Sequence, residues 1–313
     1  MILNPSNQVI VICGPTASGK SGLAVELAKL IDAEIVSADS MQIYRELDIG
    51  TAKVSPEIQA IICHHMIDII EPDQTYSVAQ YSKTATTVIK EVLAKGKSVI
   101  ICGGTGQYIN ALLDGLIFVE TQVNKAVRKE INKTITTDNA LSWHSKLEKL
   151  DAQAGERISV NDLRRIRRFF EVYQTTGLTQ TQIYNKSHAK GPDFNFLSFY
   201  LYPDRQQLYT CINQRTEEMF ELGLVEEVKN ILNKYPLVRK AQSFQAIGYK
   251  ETTLYLDGKA ELSTIKERIK QVTRNYAKRQ FTWFNARNDL NVINDFGNLN
   301  SLEQILKLLG YYK

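Results

Sequence analysis

The sequence is poor in cysteine and histidine, with four of each in 313 residues. Cys13, Cys63, Cys102 and Cys211 stand far apart and form no C-x-x-C pair, which argues against a disulfide framework or a structural zinc site. His64 and His65 are adjacent, while His144 and His188 are isolated, so the histidines add no ligand spacing. No apolar run approaches ~18 residues, so no membrane span is read. The opening Met1-Ile2-Leu3-Asn4-Pro5 has neither a basic region nor a long apolar core, and no signal or transit segment is read there. A cytoplasmic protein with reduced thiols is expected. Internal repeats and low-complexity linkers are also missing. The balance of 43% hydrophobic and 23% charged residues is that of a soluble globular chain, not of a disordered one, a collagen or a coiled-coil rod. The 38 Lys+Arg against 34 Asp+Glu leave only +4, which as a sum points to no partner.

What is present begins with a buried strand. Val9 to Cys13 is a short β-branched run, followed by a glycine-rich turn and then by apolar residues at helical spacing over Gly22 to Leu30. Further strands are read at Glu34 to Ala38 and Ser98 to Cys102, the second after a helical stretch from Ala79 to Ala94. Such alternation predicts an α/β fold, a parallel sheet flanked by helices. From about Asn124 the chain turns polar and helical, a strand returns at Phe196 to Tyr202, and residues 205–235 and 260–286 read as amphipathic helices. The expected organisation is an α/β core over 1–119 and 196–313, with a mostly helical insertion over 120–195.

Gly14-Pro15-Thr16-Ala17-Ser18-Gly19-Lys20-Ser21 matches G-x-x-x-x-G-K-[ST] completely, between a strand and a helix. Backbone N–H groups and a helix N-terminus there cradle phosphate, Lys20 adds a charge, and the Ser21 hydroxyl can hold Mg²⁺. The motif announces a diphosphate or triphosphate, not ATP hydrolysis. An acid at the end of a neighbouring strand normally accompanies it. The strand at 98–102 runs into Gly103-Gly104-Thr105-Gly106 without one, so Asp39, after Glu34 to Ala38, is the only acid in that place. Asp39-Ser40 is equally good helix- or turn-cap chemistry. The Gly103–Gly106 loop would complete a three-loop rim around one ligand.

Several motifs occur together in a fixed order. They are the P-loop, Asp39-Ser-Met-Gln-Ile-Tyr44, Leu47-Asp-Ile-Gly-Thr-Ala-Lys53, His64-His-Met-Ile-Asp68, Tyr76-Ser-Val-Ala79 and Gly103–Gly106. Gln245-Ala-Ile-Gly-Tyr-Lys-Glu251 and Lys278-Arg-Gln-Phe-Thr-Trp-Phe284 follow. Over roughly residues 9–287 the chain resembles the tRNA dimethylallyltransferases, or tRNA isopentenyltransferases, of the compact bacterial type. The resemblance implies a P-loop NTPase-like fold and transfer of a five-carbon group from dimethylallyl diphosphate. The acceptor is N6 of the adenosine 3′ of the anticodon. It also implies a monomer that uses Mg²⁺ and binds the anticodon stem-loop, with a channel between core and insertion. Departures are Cys63 for a usual Pro, Gln107 for an apolar residue, Val160 for Pro before Asn161-Asp162, and Asn285 for Arg.

The roles implied are as follows. Gly14, Pro15, Thr16, Ala17, Ser18, Gly19, Lys20, Ser21 and Arg215 face the diphosphate. Lys20, Ser21 with Mg²⁺, and Asp39 as general base for the attacking amine carry the chemistry. Contacts to tRNA are expected from Asp39, Ser40, Met41, Gln42, Thr105, Arg128, Arg164, Arg165, Ile166, Arg167, Arg168, Lys278, Arg279 and Gln280. The acceptor base must leave its stack to react. Charge supports an RNA partner. From Arg239 to Arg287 there are 11 Lys+Arg and 4 Asp+Glu, or +7, which leaves −3 elsewhere. Trp283, Phe281 and Phe284 could stack on bases, but at helical spacing at least two belong to the core. An adenine-nucleotide isopentenyltransferase could share the P-loop and Asp39 without needing the basic stretch. A P-loop kinase or ATPase would instead need a nucleobase pocket.

Overall fold

The structure is a computed structural model that describes residues 8–116, 118 and 125–311. The opening residues Met1 to Pro5 and the expected boundary at 119–120 lie outside the described residues. In chain order the elements are β1 (Gln8–Cys13), α1 (Lys20–Ile31), β2 (Ala33–Ser37), α2 (Pro56–Ile61), β3 (His64–His65), α3 (Val78–Ala94), β4 (Ser98–Gly103) and α4 (Gly106–Leu113). Then come α5 (Lys125–Thr134), α6 (Ala140–Leu150), α7 (Ala152–Arg157), α8 (Leu163–Thr176), α9 (Gln180–Lys190) and β5 (Asn195–Leu201). The chain ends with α10 (Arg205–Glu221), α11 (Leu224–Lys234), α12 (Tyr249–Leu256), α13 (Leu262–Asn285), β6 (Asn291–Ile293) and α14 (Leu299–Leu308). Contacts divide these into two compact units, Met1–Ile109 with Phe194–Lys313, and Asn110–Asp193.

The first unit is built on one sheet of order β3-β2-β4-β1-β5-β6, parallel throughout. β1 lies at its centre, with Val9 opposite Val99 and Phe196. Every residue from Val9 to Cys13 is buried, which is why the run carries no polar alternation. Alternate residues feed opposite faces. Ile10 and Ile12 pack with Leu23 and Leu27 of α1 and with Leu302 and Ile305 of α14. Tyr81, Ala85, Ile89 and Val92 are the buried stripe of α3, whose start is fixed by a reciprocal Ser77–Gln80 capping box. The Tyr76-Ser-Val-Ala79 motif is therefore a helix start. The stretch read as one helix over 205–235 is two, because Gly223 adopts φ +100° between α10 and α11. β3 and β6 are too short to leave a periodic signal.

The second unit is helical. Ile131, Ile135, Leu147, Ile158, Ile166, Phe169 and Phe170 form its core. Asp162 caps α8 by accepting from the Arg165 N–H at 3.0 Å, and Gly177 ends it at φ +69°. Asp151 accepts from the N–H of Ala154 and Thr181, which ties the start of α7 to the start of α9.

Candidate active site

The P-loop leaves the carboxyl edge of β1, where parallel sheets bind ligands. Its glycines are required by neighbouring backbone. A Cβ on Gly14 (φ +149°) would stand 2.8 Å from the Leu201 carbonyl, and one on Gly19 (φ +81°) 2.9 Å from that of Gly297. The N-cap of α1 is Gly19, which has no side chain to cap the helix, so the first N–H groups remain available to an anion. Lys20 is buried beneath the loop, donating to the Pro15 carbonyl. Burial lowers its pKa to about 8; nearby Arg215 pushes the same way, and Cys102 and Asp39 oppose it.

Two cavities meet at this edge. One of about 260 Å³ is lined by Thr16 to Gly22, Cys102, Gly103 and Gly104. The other, about 250 Å³, has an apolar wall of Ile212, Met219, Ala246, Ile247 and Ile269. Thr16, Ala17, Asp39, Thr51, Arg215 and Tyr276 line both. Arg215 reaches the boundary from α10 and donates to Thr16 Oγ1 at 3.3 Å. Burial lowers its pKa, opposed by Asp39 and Glu218. Tyr276, on α13, has its phenol pushed up by burial and by Asp39. The arrangement is a phosphate chamber and an apolar chamber with a carboxylate and a guanidinium at their junction.

Asp39 caps a turn and also lies at the junction of the two chambers. One oxygen, Oδ1, accepts from the N–H of Met41 at 2.8 Å and of Gln42 at 3.4 Å, a turn cap. The same side chain lines both chambers. The residues around it serve the loop. Thr105 Oγ1 accepts from the Ser40 N–H at 3.0 Å, and the Thr105 N–H donates to the Ala38 carbonyl. Gln42 donates to the carbonyls of Thr51 and Ala52 and accepts from Ser37. The amide of Gln42 is thus taken up in joining three segments. Gln280, expected among the RNA contacts, is buried, and its amide joins Thr16 to Gly104. Gly104 and Gly106 are glycines because a Cβ would collide with Gln280 and Trp283 of α13.

Other motif residues build the walls. Lys53 donates to the Tyr44 carbonyl at 2.9 Å and pairs with Asp48 and with Asp68 at 2.6 Å, which explains why the two distant motifs occur together. The loop carrying Gly50 and Thr51 is held by Glu227 of α11, whose carboxylate accepts from the N–H of Asp48, Ile49 and Gly50. Glu227 and Tyr276 were not legible as site residues: each is one polar residue on a helical face, and only the fold shows what it meets.

The basic residues separate into two kinds. In the first unit, Lys266 and Lys270 both pair with Glu217, Arg239 with Asp257, Arg274 with Asn213 and Arg287 with Asp289. Much of the +7 is therefore spent on internal pairs. Lys278 and Arg279 are exposed, and Arg279 also borders the apolar chamber. Phe281 and Phe284 are core, and Trp283 is 39% exposed. In the second unit, Arg164, Arg165 and Arg168 are exposed along one side of α8, Arg165 also pairing with Asp162 and Arg168, like Arg128, with Glu171. Two expectations need correction. Ile166 is fully buried in the helical core and has no surface for RNA. Arg167 turns inward and donates twice to the Ile135 carbonyl, at 2.9 and 2.6 Å, closing the end of α5.

One cluster escaped the spacing argument. β2 and β3 bring ligand atoms of Glu34, Cys63 and His65 within 4.8 Å of one another. Glu34 accepts from His65 at 2.7 Å and also faces the ammonium groups of Lys95 and Lys97 at 3.6 and 3.5 Å. Its carboxylate charge is already compensated, and the cluster acts as an ion-pair anchor for the sheet edge. No helix among the described residues is long and apolar enough to cross a membrane.

Comparison with known proteins agrees with this geometry. The IPP transferase family model matches residues 42–288. The chain is 46% identical over 285 residues to a tRNA dimethylallyltransferase of Caldanaerobacter subterraneus, covering 89% of each chain. The crystal structure of a tRNA delta(2)-isopentenylpyrophosphate transferase from Staphylococcus epidermidis superposes with a TM-score of 0.71 at 35% identity, covering 98% of this chain and 100% of that one. A eukaryotic dimethylallyltransferase solved acting on tRNA gives 0.79 at 28% identity, covering 94% and 75%. The sheet, the P-loop chamber and these likenesses agree over nearly the whole length, and the chain belongs to the tRNA dimethylallyltransferase family.

Proposed function

We propose that this enzyme transfers the dimethylallyl group of dimethylallyl diphosphate to N6 of the adenosine 3′-adjacent to the anticodon in tRNA, releasing diphosphate. The observation that carries the reading is the junction: a P-loop chamber opening onto an apolar one at Asp39, Arg215 and Thr16. A nucleotide kinase would need a nucleobase pocket there. An allylic diphosphate needs anion binding on one side and an apolar wall on the other.

The C–O bond of the donor breaks and a C–N bond to N6 forms. Negative charge grows on the departing diphosphate, and Lys20, the loop amides, Arg215 and the Thr16 hydroxyl, which line that chamber, would stabilise it. Mg²⁺ fits the donor chemistry, because Ser21 brings a hydroxyl oxygen to the phosphate chamber wall and a diphosphate brings the remaining hard oxygens. Bound there, the ion supplies charge neutralisation of the leaving group. The lone pair of the attacking amine is delocalised into the purine ring, so loss of its proton matters. Asp39 takes that proton through the oxygen not engaged in the cap. The acceptor base enters unstacked, at a cost repaid by its surroundings. Exposed Lys278, Arg279, Arg164, Arg165 and Arg168 supply contacts to RNA phosphates.

The test is direct. The protein is incubated with Mg²⁺, dimethylallyl diphosphate and undermodified tRNA, and the nucleosides are analysed by mass. Isopentenyladenosine confined to tRNA supports the reading, whereas ATP consumption without prenylation rejects it. Asp39→Ala is expected to lower turnover by about 10²-fold or more, the scale of a positioned base, with tRNA binding partly retained.

A further inference from the structure

Gln280 occupies an unusual position between two loops of the site. Its Oε1 accepts from the Thr16 N–H at 2.8 Å and its Nε2 donates to the Gly104 carbonyl at 2.9 Å. It is 5% exposed. One side chain of α13 therefore bridges the backbone of the P-loop, which follows β1, and of the glycine loop, which follows β4. Thr16 is the residue that Arg215 also holds, through its hydroxyl. Its N–H, committed to Gln280, is not free for phosphate, so the anion is left to the amides further along the loop and to Lys20.

The rest of α13 gives this bridge a second side. Thr273 and Tyr276 lie seven and four residues before Gln280, on the same helical face, and line the apolar chamber. Tyr276 lines the phosphate chamber as well. Exposed Lys278 and Arg279 immediately precede Gln280 and turn to other faces of the helix. A displacement of α13 by an acceptor in the apolar chamber would reach Thr16 through one of these hydrogen bonds and Gly104 through the other.

We propose that Gln280 is a positioning residue that sets the P-loop backbone and couples occupancy of the apolar chamber to the grip on diphosphate. It does not itself read RNA. The proposal rests on the function given above, although its binding arm does not need prenyl transfer to be observed.

The experiment compares wild type with Gln280→Met, which keeps the side-chain length and removes both hydrogen bonds, and Gln280→Glu, which keeps the acceptor for Thr16. Inorganic pyrophosphate with Mg²⁺ is titrated by calorimetry, alone and with an unmodified anticodon stem-loop RNA. Turnover is measured separately. Pyrophosphate affinity in Gln280→Met is expected to fall about tenfold and kcat roughly 10- to 100-fold, since an error near 1 Å in a reacting geometry costs that much. RNA affinity without pyrophosphate, and its salt dependence, should stay within about twofold of wild type. Wild type should show each ligand strengthening the other by about 5-fold or more, the lower range of site coupling, and Gln280→Met should lose this. Gln280→Glu should recover part of the pyrophosphate affinity. Weakened RNA binding with unchanged pyrophosphate affinity and kcat would overturn the proposal and make Gln280 an RNA contact. Equal losses in both variants, with a lowered melting temperature, would overturn it as a general packing effect. Failure of wild type to prenylate tRNA while the pyrophosphate result holds would remove the assigned reaction and leave the clamp.

Discussion

The Tyr249 hydroxyl donates to Glu227 Oε1 at 2.5 Å, and the Tyr249 ring fills the space that a Cβ on Gly50 would need. Burial and the adjacent Glu227 carboxylate push the Tyr249 phenol well above its ordinary value, so the proton stays on tyrosine and the bond is charge-assisted. The pair stands behind the loop that carries Gly50 and Thr51 to the apolar chamber. Tyr249→Phe should destabilise the protein by about 1.5–3 kcal/mol, the range for a hydrogen bond to a charged group. The check is a lower urea midpoint at unchanged slope. Gly50→Ala should be worse than a normal glycine-to-alanine change, because the ring must move.

Arg215 is expected to act on the diphosphate. Arg215→Gln removes a charged donor from the chamber junction and should lower kcat/KM by roughly 10- to 100-fold, equivalent to about 1.5–3 kcal/mol. Lysine should rescue it poorly, lacking the planar fork. Steady-state kinetics with dimethylallyl diphosphate varied at saturating tRNA provides the measurement; unchanged constants would remove Arg215 from the site.

The lowered pKa of Lys20 makes a prediction about pH. Its folded value is about 8 against an ordinary 10.5. Between these values the unfolded chain holds a proton that the folded, ligand-free protein has released. This group's contribution to stability therefore rises as pH increases from about 8 to 10.5. Binding of an anion needs the ammonium form, so affinity moves the other way. Pyrophosphate affinity attributable to Lys20 should fall about tenfold from pH 7 to 9. Lys20→Arg keeps its charge and should flatten that part of the profile in calorimetric titrations at both pH values.

Within α8 adjacent residues should behave oppositely. Ile166→Ala opens a cavity in the helical core and should cost about 2–5 kcal/mol, read as a loss of melting temperature. Arg164→Ala and Arg165→Ala should leave stability within about 0.5 kcal/mol. Each should instead weaken tRNA binding and reduce the slope of log affinity against log salt by about 1. Arg167→Ala should resemble Ile166→Ala in kind, because its guanidinium closes α5.

Much of the fold was written locally. The β-branched run before the P-loop, the helical spacing after it and the alternation of strands and helices required a buried parallel sheet, since each pattern is set by neighbours a few residues away. The order of the motifs identified the family, and the P-loop was complete in the sequence between its strand and its helix. Asp39 was legible because strand ends in a parallel sheet share one edge. What a side chain meets across the fold was not legible. Gln280 reads as one more polar residue in a basic helix, and only packing of α13 against two glycine loops makes it a clamp. Ile166 and Arg167 sit inside an arginine cluster, yet the rotation of α8 turns one into the core and the other onto a helix end. Net charge along the chain located a basic stretch, but which of its ions face solvent depends on partners such as Glu217 and Asp257, far away in sequence. Local sequence determines element type and motif chemistry because those depend on short-range backbone and burial. The tertiary structure alone decides which polar groups are spent on holding the site and which remain to use it.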